Sequence, residues 1–131
     1  MPLHPSITAY AANFAPDHRL ICEQLAEMIE RHLPQAEAKI WHAHPVWFIN
    51  DNPIVGYSLL KLGIRLLFWS GQSFTTPGLS PEGTFKAAEY RFRHPDEPQQ
   101  IPLPAWLEEA ARIQWDYKNL IKRKGQLEKL F

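Results

Sequence analysis

Three glutamates near the start of the sequence have the spacing and chemistry of metal ligands. Glu23, Glu27 and Glu30 lie at positions i, i+4 and i+7, which places their carboxylates on one face of a helix. Carboxylates that converge in this way bind iron and other hard cations. Arg19 and Arg31 each lie four residues from a glutamate, a spacing that also suits surface ion pairs. The row is therefore either a metal-binding ridge or a charged, solvated helix face.

A pair of histidines forms a second candidate for metal binding. His42 and His44 lie two residues apart in the segment 41–45, so on a strand both imidazoles would point to the same side of the sheet. Neutral imidazole is a good ligand for zinc, iron and copper. The sequence contains no further Cys or His cluster to complete such a site, so the alternative is a pair of polar surface histidines beside a turn.

Aromatic side chains are numerous enough to line a ligand pocket as well as to fill a core. Residues 70–83 predict a long loop, and long loops are often functional. We predict a groove for an organic ligand between this loop and the sheet. Its predicted lining residues are Trp41, Trp47, Phe48, Trp69 and Phe74.

Residues suited to nucleophilic catalysis are sparse. Cys22 borders the apolar stripe of a helix, where it is most simply a small core residue. The sequence contains neither a Gly-x-Ser-x-Gly elbow nor a Gly-rich phosphate loop. We therefore predict a binding protein and not an enzyme.

Helices and short strands must position these candidate residues. Apolar residues at helical spacing predict a helix over 16–33, which Pro34 ends, and a shorter helix over 6–14 precedes it. A last helix is predicted over 105–124. Short apolar or alternating segments predict five strands, at 39–43, 46–49, 54–61, 64–69 and, at a sheet edge, 89–93.

The predicted order of elements indicates an α+β two-layer sandwich. The connections between most strands are too short for parallel crossovers, so the sheet of about five strands must be antiparallel. The N-terminal helices and the long C-terminal helix would pack on one of its faces. A length of 131 residues suits a single domain spanning residues 1–131.

Composition limits the classes of partner. Fourteen basic and 14 acidic residues give a formal net charge of zero, whereas nucleic acids and anionic membranes attract an excess of Lys and Arg. We therefore expect neither as a partner. The absence of a signal peptide at the start of the sequence and the single cysteine favour the cytoplasm. Exposed aromatic residues near Trp47 and Trp69 would also allow a homodimer.

The pattern as a whole resembles the bacterial YdhG-like domains of unknown function. The segments that carry the resemblance are 16–33, 34–41, 45–47 and 83–92, and it extends over about residues 5–125. It implies a frataxin-like α+β sandwich and, for at least one branch of the family, an iron chaperone that delivers iron to cluster or haem assembly proteins. Iron binding of the frataxin type uses an acidic ridge on the first long helix, and by this resemblance Asp17, Glu23, Glu27 and Glu30 would form it.

Two hypotheses about function follow. The first is a carrier that holds iron weakly on the three glutamates, helped by His42 and His44. The second is a module that binds a small molecule or a protein in the aromatic groove under residues 70–83, without a metal.

Overall fold

The computed structural model describes residues 5–83, 85–119 and 127–130. Within these residues the chain forms three α-helices and six strands. In order they are α1 (Pro5–Ala11), α2 (Pro16–His32), β1 (Glu37–Trp41), β2 (His44–Ile49), β3 (Asn52–Leu60), β4 (Gly63–Phe68), β5 (Ser80–Pro81), β6 (Ala88–Phe92) and α3 (Leu103–Arg112).

The second helix, α2, forms where the apolar spacing predicts it. Pro16 occupies its first turn, where a missing N–H costs nothing, and Asp17 lies beside the positive end of the helix dipole. The amide of Leu33 bonds to the carbonyl of Ile29 and closes the last turn just before Pro34. The shorter α1 runs from Pro5 to Ala11 and does not reach residue 14, so only about the first two turns of the predicted helix form.

The six strands form one antiparallel sheet in the order β1-β2-β3-β4-β6-β5. One face of this sheet packs against all three helices around a single apolar core. Its largest fully buried side chains include Trp47, Tyr57, Phe68, Phe92 and Trp106. The predicted α+β two-layer sandwich is confirmed.

The strand predicted at the sheet edge lies inside the sheet. β6 pairs with β4 on one side and with the two-residue strand β5 on the other. Its charged residues suggested an edge strand because edge strands often carry charge. In the structure Glu89 lies between Arg65 and Arg91 on the face turned away from the helices, so the charges of β6 pair within the sheet.

The long final helix predicted over 105–124 is wrong in its length, because α3 ends at Arg112. Ile113 has extended backbone angles, and the residues after it bond to other parts of the chain instead of continuing the helix. The Trp115 amide donates to the hydroxyl of Ser70, while Asn52 binds the Trp115 carbonyl and the Lys118 amide. The C-terminal end of the predicted helix, residues 120–124, lies outside the described residues.

Two hairpins of the sheet close through two-residue turns with positive φ at both residues. His42 and Ala43, with φ of 51° and 71°, join β1 to β2, and Asn50 and Asp51 join β2 to β3. Positive φ at both central positions is the pattern of a type I′ turn, which matches the twist of the two strands. His42 is therefore a turn residue, and the prediction of a strand that carries both histidines is wrong.

No helix in the described part of the chain is both long enough and apolar enough to cross a membrane.

Candidate ligand-binding site

A cleft of about 990 Å³ lies between α1 and α2. Its floor is apolar, because the buried faces of the two helices and the ring of Tyr57 from β3 form it. Thr8 and Ala12 lie on the rim and are exposed, so the cleft opens to solvent. The apolar residues that line it are Ile7, Ala11, Ala12, Cys22, Ala26, Pro34 and Tyr57.

The wall of the cleft that α2 forms carries the predicted acidic row. Glu23 pairs with Arg19 at 3.6 Å, and Glu27 pairs with Arg31 at 2.7 Å. All four side chains are about half exposed or more, so each pair contributes only a few tenths of a kcal/mol to stability. The sequence offered surface ion pairs as the alternative to a metal site, and Glu23 and Glu27 form such pairs.

The third glutamate of the row, Glu30, has a different environment. It is half-buried, and its Oε2 accepts a hydrogen bond of 3.2 Å from Nε1 of Trp47. Trp47 is fully buried and packs against Tyr57 with ring centroids 5.7 Å apart. Within the described residues Glu30 has no ion-pair partner, so its carboxylate is held by the core and faces the cleft.

The floor of the cleft offers no ionised nucleophile at neutral pH. Burial raises the pKa of the Cys22 thiol to about 12, and the nearby charge of Glu23 adds to this effect. Burial also raises the pKa of the Tyr57 hydroxyl, with smaller contributions from Cys22 and Tyr10. Both groups are therefore neutral, and the chemistry that they provide is apolar contact.

The structure separates the two groups of predicted metal ligands. The glutamates lie on α2, on the helical side of the sheet, whereas His44 pairs with Trp41 on the opposite face. Burial lowers the pKa of His44, and the positive charge of Arg65 on that same face lowers it further. Among residues 5–83, 85–119 and 127–130, no three His, Cys, Asp or Glu side chains come together as a metal site.

The predicted aromatic lining residues divide between the two faces of the sheet. Trp41, Phe48 and Trp69 meet on the face without helices, with centroids of 5.5 Å from Trp41 to Phe48 and 6.0 Å from Trp41 to Trp69. We call these three residues the outer aromatic cluster. Trp47 and Phe74 lie on the helical face, where Phe74 packs against Phe68. The five residues therefore do not line one groove.

The loop at residues 70–83 packs directly on α3. Trp106 donates a hydrogen bond from Nε1 to the carbonyl of Pro77, and a Cβ added to Gly78 would lie 2.7 Å from the Trp106 ring. Trp106 thus occupies space where the groove was predicted. The apolar spacing in α3 identified Trp106 as a core residue. It could not show that residues 70–83 pack on Trp106 and so fill the predicted groove.

Glu109 is a structurally important residue that the sequence predictions missed. It is only 4% exposed, and its carboxylate accepts hydrogen bonds from both the amide and the hydroxyl of Thr75 and from the amide of Thr76. Burial acts to raise the pKa of Glu109, but the hydrogen bonds from the two threonines outweigh it and lower the pKa to about 2. The available signal was a carboxylate among the apolar residues of α3, beside Trp106 and Ala110.

A second polar group lies on the outer face of the sheet. Glu89, which is 7% exposed, accepts a hydrogen bond from Arg91 through Oε2, while its Oε1 lies 3.8 Å from Arg65. Within the described residues, Glu89 Oε1 and Arg65 Nε are buried without a hydrogen-bond partner. Alternation along β4 and β6 accounts for the placement of all three side chains on this face.

Fold and site together define a small α+β two-layer domain with an open cleft between its two N-terminal helices. A similar fold occurs in the crystal structure of a protein from the DUF1801 family, YdhG, from Bacillus subtilis. The TM-score is 0.55, with 90% of each chain covered and 15% sequence identity, so the likeness shows a shared fold. No protein-family model and no curated protein matches the sequence.

Proposed function

We propose that this protein binds a small organic molecule in the cleft between α1 and α2 and is not an enzyme. The observation that carries the proposal is the cleft itself, an apolar floor of neutral side chains beside a wall of charged ones. Its volume of about 990 Å³ lies at the upper end of the range for small-molecule sites, which is roughly 300–1,000 Å³.

The proposal moves the ligand site of the binding-module hypothesis from the loop at residues 70–83 to the helical layer. It also assigns the chain to the YdhG-like proteins, with the shared fold as support. The neutral thiol of Cys22 and the neutral hydroxyl of Tyr57 support binding over nucleophilic chemistry at this site.

A blocked cleft tests the proposal directly. Thr8 lines the cleft and is exposed, whereas the adjacent exposed residue Ala9 does not line it. Thr8→Trp therefore places a large ring across the opening, and Ala9→Trp is the matched control on the same helix. The probe is octanol, an uncharged amphiphile, titrated into isotope-labelled protein while backbone amide and indole N–H resonances are followed by NMR.

We expect saturable shifts at Ala11, at Ala26 and at the indole of Trp47. Thr8→Trp should weaken binding by about tenfold or more, equivalent to at least about 1.4 kcal/mol, while Ala9→Trp leaves it unchanged. The proposal is wrong if octanol, octylamine and octanoate all fail to give saturable shifts, or if Ala9→Trp weakens binding as much as Thr8→Trp.

One observation favours iron transport as a second candidate function. Glu23, Glu27 and Glu30 line the same cleft without converging on one point, so iron binding would require their side chains to move together. The ion pairs that engage Glu23 and Glu27 are exposed and weak enough to exchange for a cation. A carrier of this type would hold iron loosely and release it to cluster or haem assembly proteins.

Anaerobic calorimetry with ferrous iron distinguishes this second candidate. The metal carrier requires a heat of binding for the native protein that disappears in the triple variant Glu23→Ala, Glu27→Ala, Glu30→Ala. Glu108→Ala is the control, because Glu108 is exposed on α3 and does not line the cleft. No heat with the native protein, or the same heat with the triple variant, would rule out iron binding at this site.

A further inference from the structure

We infer that the ligand of the α1–α2 cleft carries a positively charged amine, which binds to the carboxylate of Glu30. This inference rests on the proposed function and names the chemical class of the molecule bound.

The charges along the cleft favour a cation. Its charged lining residues are Arg19, Arg31, Glu23, Glu27 and Glu30, so two positive charges oppose three negative ones. Each arginine is already paired with a glutamate four residues away. The uncompensated negative charge is therefore that of Glu30, and an anionic ligand would find no unpaired cation among these residues.

Glu30 is also the carboxylate of the row that is best fixed in place. It accepts a hydrogen bond from Trp47, whose side chain is fully buried and packs against Tyr57. A carboxylate that is already oriented loses little conformational entropy when a ligand binds. Glu23 and Glu27, by contrast, have exposed side chains that would have to leave their arginine partners.

The site has a carboxylate beside an apolar floor, and an amine with a hydrocarbon chain has a group to match each of them. Among the described residues the Trp47 indole donates only to Oε2 of Glu30, so Oε1 can accept a hydrogen bond from an ammonium group. The apolar chain of the ligand would lie on Ile7, Ala11 and Ala26, beside Tyr57. Hydrogen bonds between an ammonium and a carboxylate are stronger than those between neutral groups, so the amine should dominate selectivity.

Three probes of equal chain length isolate the role of the charge. Octylamine is protonated at pH 7, as the lysine side chain is, while octanol is neutral and octanoate is negative. Their dissociation constants are measured by NMR from the resonance of the Trp47 indole N–H, which donates a hydrogen bond to Glu30. We expect octylamine to bind about tenfold more tightly than octanol, a difference of about 1.4 kcal/mol, and octanoate to bind more weakly than octanol.

A single substitution assigns the preference to Glu30. Glu30→Gln removes the charge but keeps an oxygen that accepts the Trp47 hydrogen bond. The advantage of octylamine over octanol should fall to about twofold or less. Glu108→Gln, an exposed glutamate of α3 paired with Arg112, should keep the full advantage.

The possible results separate the inference from the proposed function. If octanol binds the native protein as tightly as octylamine, the amine inference is wrong while ligand binding in the cleft stands. If the advantage of octylamine survives Glu30→Gln, Glu30 is not the anchor and the inference is likewise overturned. If none of the three probes binds, the proposed function itself fails.

Discussion

Glu30 and Glu109 both meet buried parts of the molecule, yet their surroundings differ in a way that decides their roles. Glu109 lies under the loop at residues 70–83 and accepts three hydrogen bonds from Thr75 and Thr76. Within the part of the chain that the structure describes, Glu30 accepts one, from Trp47, and otherwise faces an open cleft. The first carboxylate is satisfied by the protein and is structural, whereas the second retains capacity to bind a ligand.

The substitution Glu109→Gln should destabilise the protein in a pH-dependent way. The pKa of Glu109 in the folded protein is about 2, below its ordinary value of 4.5. The charged form therefore stabilises the fold fully above about pH 4.5, and this contribution is lost as the pH falls toward 2. Urea unfolding should show a loss of about 2–3 kcal/mol at pH 7 that shrinks below pH 4.5.

Glu108→Gln is the matched control for this prediction, because the neighbouring Glu108 side chain is 75% exposed. Its unfolding free energy should follow that of the native protein at every pH. A constant difference between Glu109→Gln and the native protein from pH 7 to pH 2 would contradict the assignment.

At the scale of elements, the two tight turns of the sheet differ in how well their residues suit them. Asn50 and Asp51 tolerate positive φ, because short polar side chains can bond to the nearby backbone. His42 and Ala43 adopt the same backbone conformation, and an alanine at φ 71° carries a steric cost from its Cβ. The polar turn was readable in the sequence, and the His42–Ala43 turn was not.

Replacement of Ala43 by glycine should therefore stabilise the protein. Glycine adopts positive φ without a Cβ clash, and we expect the unfolding free energy to rise by about 0.5–1 kcal/mol. Ala9→Gly in α1 is the control with the opposite sign, since glycine in a helix costs up to about 1 kcal/mol. Urea unfolding of both variants measures the two changes, and a destabilised Ala43→Gly would refute the type I′ turn.

The segment after α3 shows how partners elsewhere in the chain override a local pattern. Trp106 and Ala110 lie on the helix as the apolar stripe predicts, but Ile113 and Tyr117 lie in the non-helical segment that follows α3. β-Branched and aromatic residues have only moderate helix propensity. The hydrogen bonds that Asn52 and Ser70 make with the backbone of this segment stabilise the non-helical conformation instead.

At the scale of the whole molecule, the helical layer covers one face of the sheet and leaves the other partly open. The open face carries the outer aromatic cluster, in which Trp41 is 36% exposed, and the group formed by Arg65 and Glu89. The covered face contains the cleft, whose outer wall is the seven-residue helix α1. A helix so short is not stable by itself, so α1 depends on its contacts with α2 and the sheet.

Ligand binding should therefore stabilise α1. With octylamine at about 100 times its dissociation constant, we expect hydrogen exchange of the Ala9, Tyr10 and Ala11 amides to slow by about tenfold or more. In the Thr8→Trp variant, whose affinity should be at least about tenfold lower, the same concentration should slow exchange at least about tenfold less. Equal slowing in the two proteins would place the ligand outside the cleft.

The sequence by itself determined the architecture, because periodicity and chain connectivity depend on local residues. The stripe of α2, the short strand connections and the turn at Asn50 specify a helical layer on an antiparallel sheet. These features need no knowledge of which distant residues meet.

Only the tertiary structure decided what the candidate residues do. Alternation along β1 and β2 directs His44 and Trp41 away from the helices, so the histidines cannot join the glutamates of α2. Trp47 reaches across from the sheet to Glu30, a contact 17 residues apart in the chain that no local pattern encodes. The sequence shows three glutamates and two arginines at helical spacing. Only the tertiary structure shows that Glu30 is the glutamate of this row without an arginine partner among the described residues.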